Sequence, residues 1–208
     1  MNCLICHQTC QLNILSFLES ESSVCIKCLN KLEVINTQEF KKIIINKQEF
    51  TYELNILFTY NNFTKDYMYY LKEKQDVALV KVMKYYLQEI VNDNLDYTWI
   101  PVKSAELTYQ KRGFYPNEEL INQLNNIKIN EGPIRIDDIK QGKLSKKDRV
   151  NTKQCYKKVV IKEKNIIILD DVIVTGSTIT QYIQNIEFKN LQNLKVVILL
   201  KGKKYWVV

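Results

Sequence analysis

Two kinds of apolar pattern alternate along the chain. Short runs rich in apolar residues occur at LNILFTY (54–60), YTWIPV (97–102), GPIRI (132–136), IIIL (166–169) and LKVVILL (194–200). Runs of this length predict strands, and the unbroken ones predict strands buried on both faces. Between them apolar residues recur at helical spacing. Val77, Val80, Met83, Leu87, Ile90 and Val91 follow Asp76, a candidate N-cap. Pro116 suits the first turn of a helix reaching about Leu124, and Ser177 to about Ile186 suits another. Alternation of strand and helix predicts an α/β domain with a mostly parallel sheet flanked by helices.

Two stretches depart from this rhythm. Residues 33–50 carry one strand-like run within KKIIINKQEF and read as a link or packing layer. The polar stretch from about Ile139 to Lys158 shows neither period, and a long loop in a compact domain is usually functional or disordered. No apolar run approaches the ~20 residues of a membrane helix. MNCLICHQTC lacks the basic and apolar regions of a signal peptide. A cytoplasmic protein without membrane insertion is expected.

Charge sharpens the picture of the polar stretch. The chain of 208 residues carries +7, yet Lys140 to Lys164 alone holds ten Lys or Arg against two acids, a local +8. Such a segment is either a solvated lysine-rich loop or a surface for an anionic partner, a polyphosphate ligand or nucleic acid.

Five of the six cysteines fall within the first 28 residues. Cys3-x2-Cys6 and Cys25-x2-Cys28, 18 residues apart, have the spacing of a four-thiolate zinc site built from two knuckles. An ion would replace the core that so short a segment cannot build. His7 and Cys10 are further potential ligands, each able to stand in for one thiolate. Four protein ligands leave no open position, so the site reads as structural. Cys155 stands alone, and His7 is the only histidine, which argues against Cys–His dyads, histidine-based triads and histidine-rich metal centres.

The densest chemistry lies in NIIILDDVIVTGSTIT (165–180). If 166–169 is a buried parallel strand, Asp170 and Asp171 emerge at its carboxyl end, the edge where open α/β sheets bind ligands. Ionised carboxylates accept hydrogen bonds from sugar hydroxyls and attract a divalent cation such as Mg²⁺. The loop Val174, Thr175, Gly176, Ser177 and Thr178 then opens a helix whose N-terminus and amides suit an anion. Hydroxyl acceptors followed by a phosphate loop describe a ribose 5-phosphate. GxxxxGK[ST] and GxGxxG are both absent.

IIILDDVIVTGST resembles the motif by which type I phosphoribosyltransferases bind phosphoribosyl pyrophosphate (PRPP). The resemblance implies that Asp170 and Asp171 hold the ribose hydroxyls, with possible Mg²⁺, and that 174–178 hold the 5-phosphate. Many members have two threonines before the glycine. Val174 replaces the first, which implies weaker phosphate binding. With the four cysteines, IPVKSAELTYQKRGFYPNEEL (100–120) and QGKLSKKDRVN (141–151), the whole chain resembles the ComF family. The RGF core at Arg112–Phe114 is kept, while the Asn-Gln pair usual after it is not. This implies a zinc ribbon at 1–32 and a phosphoribosyltransferase-like domain at 33–208. Lys103, in the turn Val102–Ser104, and Arg112 would meet pyrophosphate. A mobile loop at 140–158 would close over it with Lys146, Lys147 and Arg149.

The same resemblance implies an accessory protein of transforming-DNA uptake in competent bacteria, with a helicase-type DNA-uptake ATPase as partner. Single-stranded DNA would meet the basic segment, and Tyr109, Phe114, Tyr205 or Trp206 could stack on bases. Two alternatives share the fold: an active transferase displacing pyrophosphate from PRPP, and a PRPP-responsive regulator without turnover.

Overall fold

The computed structural model describes residues 2–9, 24–136 and 156–202. A short helix α1 (Ile26–Leu29) precedes two long strands, β1 (Val34–Ile45) and β2 (Gln48–Thr59). Helices α2 (Asn62–Glu73) and α3 (Val80–Asn92) follow, then β3 (Thr98–Pro101), α4 (Glu106–Arg112), α5 (Pro116–Ile121) and β4 (Lys128–Ile129). The chain continues through β5 (Ile134–Arg135), β6 (Tyr156–Lys157), β7 (Val159–Ile161) and β8 (Asn165–Ile173). It ends with α6 (Ser177–Gln184), β9 (Ile186–Phe188) and β10 (Asn193–Lys201).

Six strands form one sheet in the order β1-β2-β10-β8-β3-β4. All neighbours are parallel except β1 and β2, which form a hairpin. The hairpin turns at Asn46 and Lys47, both at positive φ (51° and 67°). Two left-handed residues match the twist of the flanking strands. Residues 33–50, expected as a link or packing layer, form the edge strand β1 and the start of β2. The sequence signal was weak there because β1 alternates exposed and half-buried positions over most of its length.

The sheet is covered on both faces. On β8, Ile167 and Leu169 enter one core and Ile166 and Ile168 the other, all fully buried. The first core is completed by Tyr67 and Leu71 of α2, Met83 and Leu87 of α3, and Leu120 and Ile121 of α5. The second takes Ile179, Tyr182 and Ile183 of α6. Each fully buried side chain of this size contributes about 1.5–3 kcal/mol. The first core also includes Cys3, Val24, Cys28 and Leu32, so the cysteine-bearing N-terminus is seated on the α/β layer.

Other expectations shift in detail. Asp76 precedes a 3-10 turn (Val77–Leu79) and makes no side-chain cap, so α3 begins only at Val80. Helix α2 carries the capping box the sequence reading did not register. Asn61 Oδ1 accepts from the Thr64 amide (2.9 Å), and Thr64 Oγ1 accepts from the Asn61 amide (2.8 Å). β5 within GPIRI pairs with β6 and stays outside the main sheet. Among the described residues, no helix is long and apolar enough to cross a membrane.

Candidate functional site

The central strand β8 sits between β10 and β3. From β3 the chain moves outward to β4, and from β8 it moves the other way to β10. Strand order therefore reverses beside β8, and the crevice between the carboxyl ends of β3 and β8 is where open α/β sheets take ligands. Asp170 and Asp171 lie on its rim.

Asp170 is 7% exposed. Its Oδ1 accepts from the Asp171 amide (2.9 Å) and from Asn117 Nδ2 of α5 (3.3 Å). Burial, then the charge of Asp171, push its pKa up to about 7; the Asp171 amide, Lys72 and Asn117 oppose this. Asp171 points instead to α2, where its Oδ2 forms an ion pair with Lys72 Nζ. Adjacent strand residues diverge, and here they are received by two different helices.

Two clefts meet at these acids. One of about 320 Å³ runs along Val174, Thr175, Gly176 and Thr178. The other, about 190 Å³, extends toward Val102, Lys103, Ser104, Arg112 and Asn117. Lys72, Asp170, Asp171, Val172 and Thr178 line both. Gly176 has φ +78° and forms the N-cap of α6, a left-handed position that a side chain would strain. Thr175 and Ser177 exchange a hydroxyl hydrogen bond (2.9 Å), and the Thr175 hydroxyl also accepts from the Ser177 amide (3.4 Å). Gly202 closes the base of this loop: its amide donates to the Ile173 carbonyl (2.7 Å), and an added Cβ would lie 2.8 Å from that oxygen.

The basic residues are placed less simply. Lys103 is 8% exposed and pairs with Glu131 (2.6 Å) and Glu118 (3.2 Å), its ammonium 5.2 Å from the centre of the Tyr115 ring. Burial disfavours its charge, but the two carboxylates outweigh it and raise the pKa. The expected pyrophosphate contact thus has internal partners, which an anion would have to displace. Arg112 ends α4 before Gly113 (φ +85°), and its Nε donates to the Lys72 carbonyl (2.9 Å) in the last turn of α2. Burial lowers its pKa, against the charges of Glu73 and Asp171. Lys146, Lys147 and Arg149 lie outside the described residues, as do Cys10, Cys155, Tyr205 and Trp206. Phe114 is buried in the first core and is unavailable for stacking on bases. Tyr109 is 40% exposed and stacks on Tyr115 (4.5 Å between centroids).

Lys72 and Asn117 were not singled out in the sequence. They reach the acids across 99 and 53 positions of chain, and no local pattern marks either. Ser104 was placed only as part of a turn. Among the described residues, its Oγ and the Oδ1 of Asn117 are both buried without a hydrogen-bond partner.

The second cluster holds Cys3, Cys6, Cys25 and Cys28, whose sulfurs lie within 4.8 Å of one another. Cys6 Sγ and Cys25 Sγ are 3.7 Å apart. A tetrahedral ion with metal–sulfur bonds near 2.3 Å requires about 3.8 Å between sulfurs, so the set fits one. Burial alone would raise the Cys3 pKa, but amides of Cys25, Cys6 and Ile5 bring it down to about 6. Burial and the other three sulfurs push Cys28 upward. A cation would resolve that conflict, since thiolates crowded together need one. His7 is exposed and outside the cluster; its amide donates to the Cys3 carbonyl (2.9 Å) at positive φ (58°). The four cysteines are close enough to bind a metal ion.

No protein-family model matches the chain, and no curated protein matches it.

Proposed function

We propose that this chain binds a phosphorylated ribose of the PRPP class on a type I phosphoribosyltransferase-like fold. We read it further as a ComF-like accessory protein of transforming-DNA uptake with a structural zinc ion on its four cysteines. One observation carries the ligand: Asp170 and Asp171 stand at the junction of two clefts at the carboxyl edge of β8. One cleft leads to a helix N-terminus with a left-handed glycine, the other toward Lys103 and Arg112.

Each part of the ligand then has a role for named residues. The amides and hydroxyls of 174–178 hold the 5-phosphate. Asp170 and Asp171 accept from the ribose hydroxyls. Lys72, which lines both clefts, exchanges its pairing with Asp171 for a phosphate oxygen. Lys103 can release Glu131, which is 67% exposed at its side chain, to meet pyrophosphate. Asp170 and Asp171 would hold Mg²⁺ together with the ligand, and a divalent cation there would supply positive charge that favours both carboxylates ionised and offsets the charge of pyrophosphate.

The partner reading rests on the resemblance and on charge. Lys157, Lys158, Lys162 and Lys164 of the basic segment are exposed beside Val160, itself 51% exposed. Single-stranded DNA affinity should fall steeply with salt; a flat response would remove DNA as a ligand of this segment. The ligand is tested by thermal stability with Mg²⁺–PRPP, in wild type and in Asp170→Ala and Asp171→Ala. The wild type should be stabilised and the variants not. An unmoved wild-type transition would sink the PRPP reading. Pyrophosphate release with a nucleobase acceptor would make the protein a transferase.

A further inference from the structure

Strand β1 ends the six-stranded sheet, and among the described residues nothing pairs with its outer side. From Thr37 to Ile45 its ladder with β2 runs without a register shift; the irregularity lies between Val34 and Thr37. The two-residue turn at Asn46 and Lys47 makes Ile45 and Gln48 a hydrogen-bonded pair. Such pairs alternate along an antiparallel ladder. Glu39, Lys41, Ile43 and Ile45 therefore turn their amides and carbonyls to β2, while Gln38, Phe40, Lys42 and Ile44 turn theirs away from the sheet. A long regular edge of this kind is a template for a further strand.

The side chains leave room for one. Gln38, Phe40, Lys42 and Ile44 are all exposed, Phe40 by 71%. Lysine on an edge strand normally repels a second strand. Here Lys42 leans back across the hairpin to Glu49 of β2 (2.7 Å), and Lys41 pairs with Glu39 of its own strand (3.0 Å).

The sequence of β1 is also its own complement. With a second copy turned antiparallel about a two-fold axis at Phe40, Phe40 faces Phe40 of the second copy. Glu39 then faces Lys41 of the second copy, Lys41 faces Glu39, and Gln38 faces Lys42. Aromatic and opposite-charge pairs across strands favour pairing, and like charges directly opposite oppose it. Moving the axis by one position sets Glu39 on Glu39 or Lys41 on Lys41. Moving it by two sets Lys42 on Lys42, or sets Phe40 on Asn36 within the irregular stretch, where φ is 39°.

We infer that the β1 edge is the surface by which two copies of this chain associate, their sheets joined across antiparallel β1 strands centred on Phe40. The contact is isologous and closes as a dimer. β2 and β10 separate β1 from β8, so the joint lies away from the acid pair. Antiparallel pairing directs the two Asp170 crevices to opposite edges of the joined sheet. The inference does not depend on the ribose-phosphate reading.

The test is sedimentation velocity of the full chain from about 1 to about 100 µM, where a modest interface associates. Wild type should pass from one chain mass to twice that mass. Phe40→Pro removes an outward amide, which an edge strand tolerates, and should weaken association about tenfold or more. Glu39→Lys and Lys41→Glu should each fail to pair with themselves, because four like charges meet, yet pair with one another when mixed. Calorimetric melting checks that each variant is folded, and the wild-type measurement needs none of them. A wild type that stays monomeric throughout overturns the inference and leaves the edge to a different chain. A dimer that survives all three substitutions lies on another surface and overturns it too. Folded charge variants that do not pair when mixed overturn the register centred on Phe40.

Discussion

The acid pair on β8 and the cysteine cluster are both polar constructions joined to the same hydrophobic core, yet they are built in opposite ways. The cysteines come from 26 residues of chain and converge on one point, with sulfurs within 4.8 Å. Asp170 and Asp171 are neighbours in sequence and diverge, one to α5 and one to α2. In the first case the interacting groups are local and stand close enough together to bind one ion. In the second the principal groups are local but their partners come from distant helices. Short-range chemistry makes the cluster complete in itself; the acid pair depends on the packing of α2 and α5 against the sheet.

The largest expected effect breaks the cysteine side of this contrast. Cys3 and Cys28 are buried in the core that also holds α2 and α3. Cys28→Ser, or stripping the metal with a strong chelator, should therefore lower the melting temperature of the whole protein by about 10 °C or more. Structural zinc in small units contributes on the order of 10 kcal/mol, part of which reaches the shared core. Metal content by mass spectrometry and calorimetric melting check this together. A domain transition unaffected by metal loss would show that the two regions are uncoupled.

The next effect concerns Asp170 in the ligand-free protein. Its carboxyl titrates at about 7 when folded, against an ordinary value of 3.8. Between these values the folded protein keeps a proton that the unfolded chain has lost. The group's contribution is therefore fully present below pH 3.8 and is lost as pH rises to about 7. Asp170→Asn should flatten this slope and stabilise the ligand-free protein at pH 8 by at most about 4 kcal/mol. It should also abolish stabilisation by Mg²⁺–PRPP. Denaturant melts at pH 5 and 8 separate the two, and a variant less stable than wild type at pH 8 would count against a buried, strained carboxylate.

The smallest effect sharpens the comparison. Val174→Thr adds a hydroxyl to the lining of the 320 Å³ cleft. Affinity for ribose 5-phosphate should rise about twofold to tenfold, the range of one added hydrogen bond, with stability nearly unchanged. Titration calorimetry resolves this. No gain would place the anion contacts on the backbone amides alone.

Much of this arrangement was legible beforehand where the physics is local. The run Ile166–Leu169 reads as a doubly buried strand because every residue in it is apolar, and the structure buries all four completely. Gly176 reads as a tight turn, and its φ is +78°. The cysteine spacing implies one ion, and the sulfurs meet. What escaped was non-local or masked by compromise. β1 was read only in part, from the run within KKIIINKQEF, because the residues before it mix polar and apolar types on an edge strand half in solvent. Lys103 reads as a pyrophosphate contact, but Glu118 and Glu131 approach it once α5 and the segment after β4 are packed.

The sequence by itself determined the strand–helix alternation, the acid pair at the end of a buried strand, the left-handed turn into α6 and the four-thiolate spacing. Each is set by short-range sterics, periodicity or ligand count. Tertiary structure alone decided that Asp170 is buried against Asn117, that Asp171 is paired with Lys72, and that the cysteine cluster shares its core with the sheet. These follow from which helices pack beside β8, and burial and pairing belong to that packing. The same two adjacent carboxylates, exposed on a loop, would both ionise near their ordinary values; held at this edge, one is pushed up to about 7 and the other is tied to an ammonium.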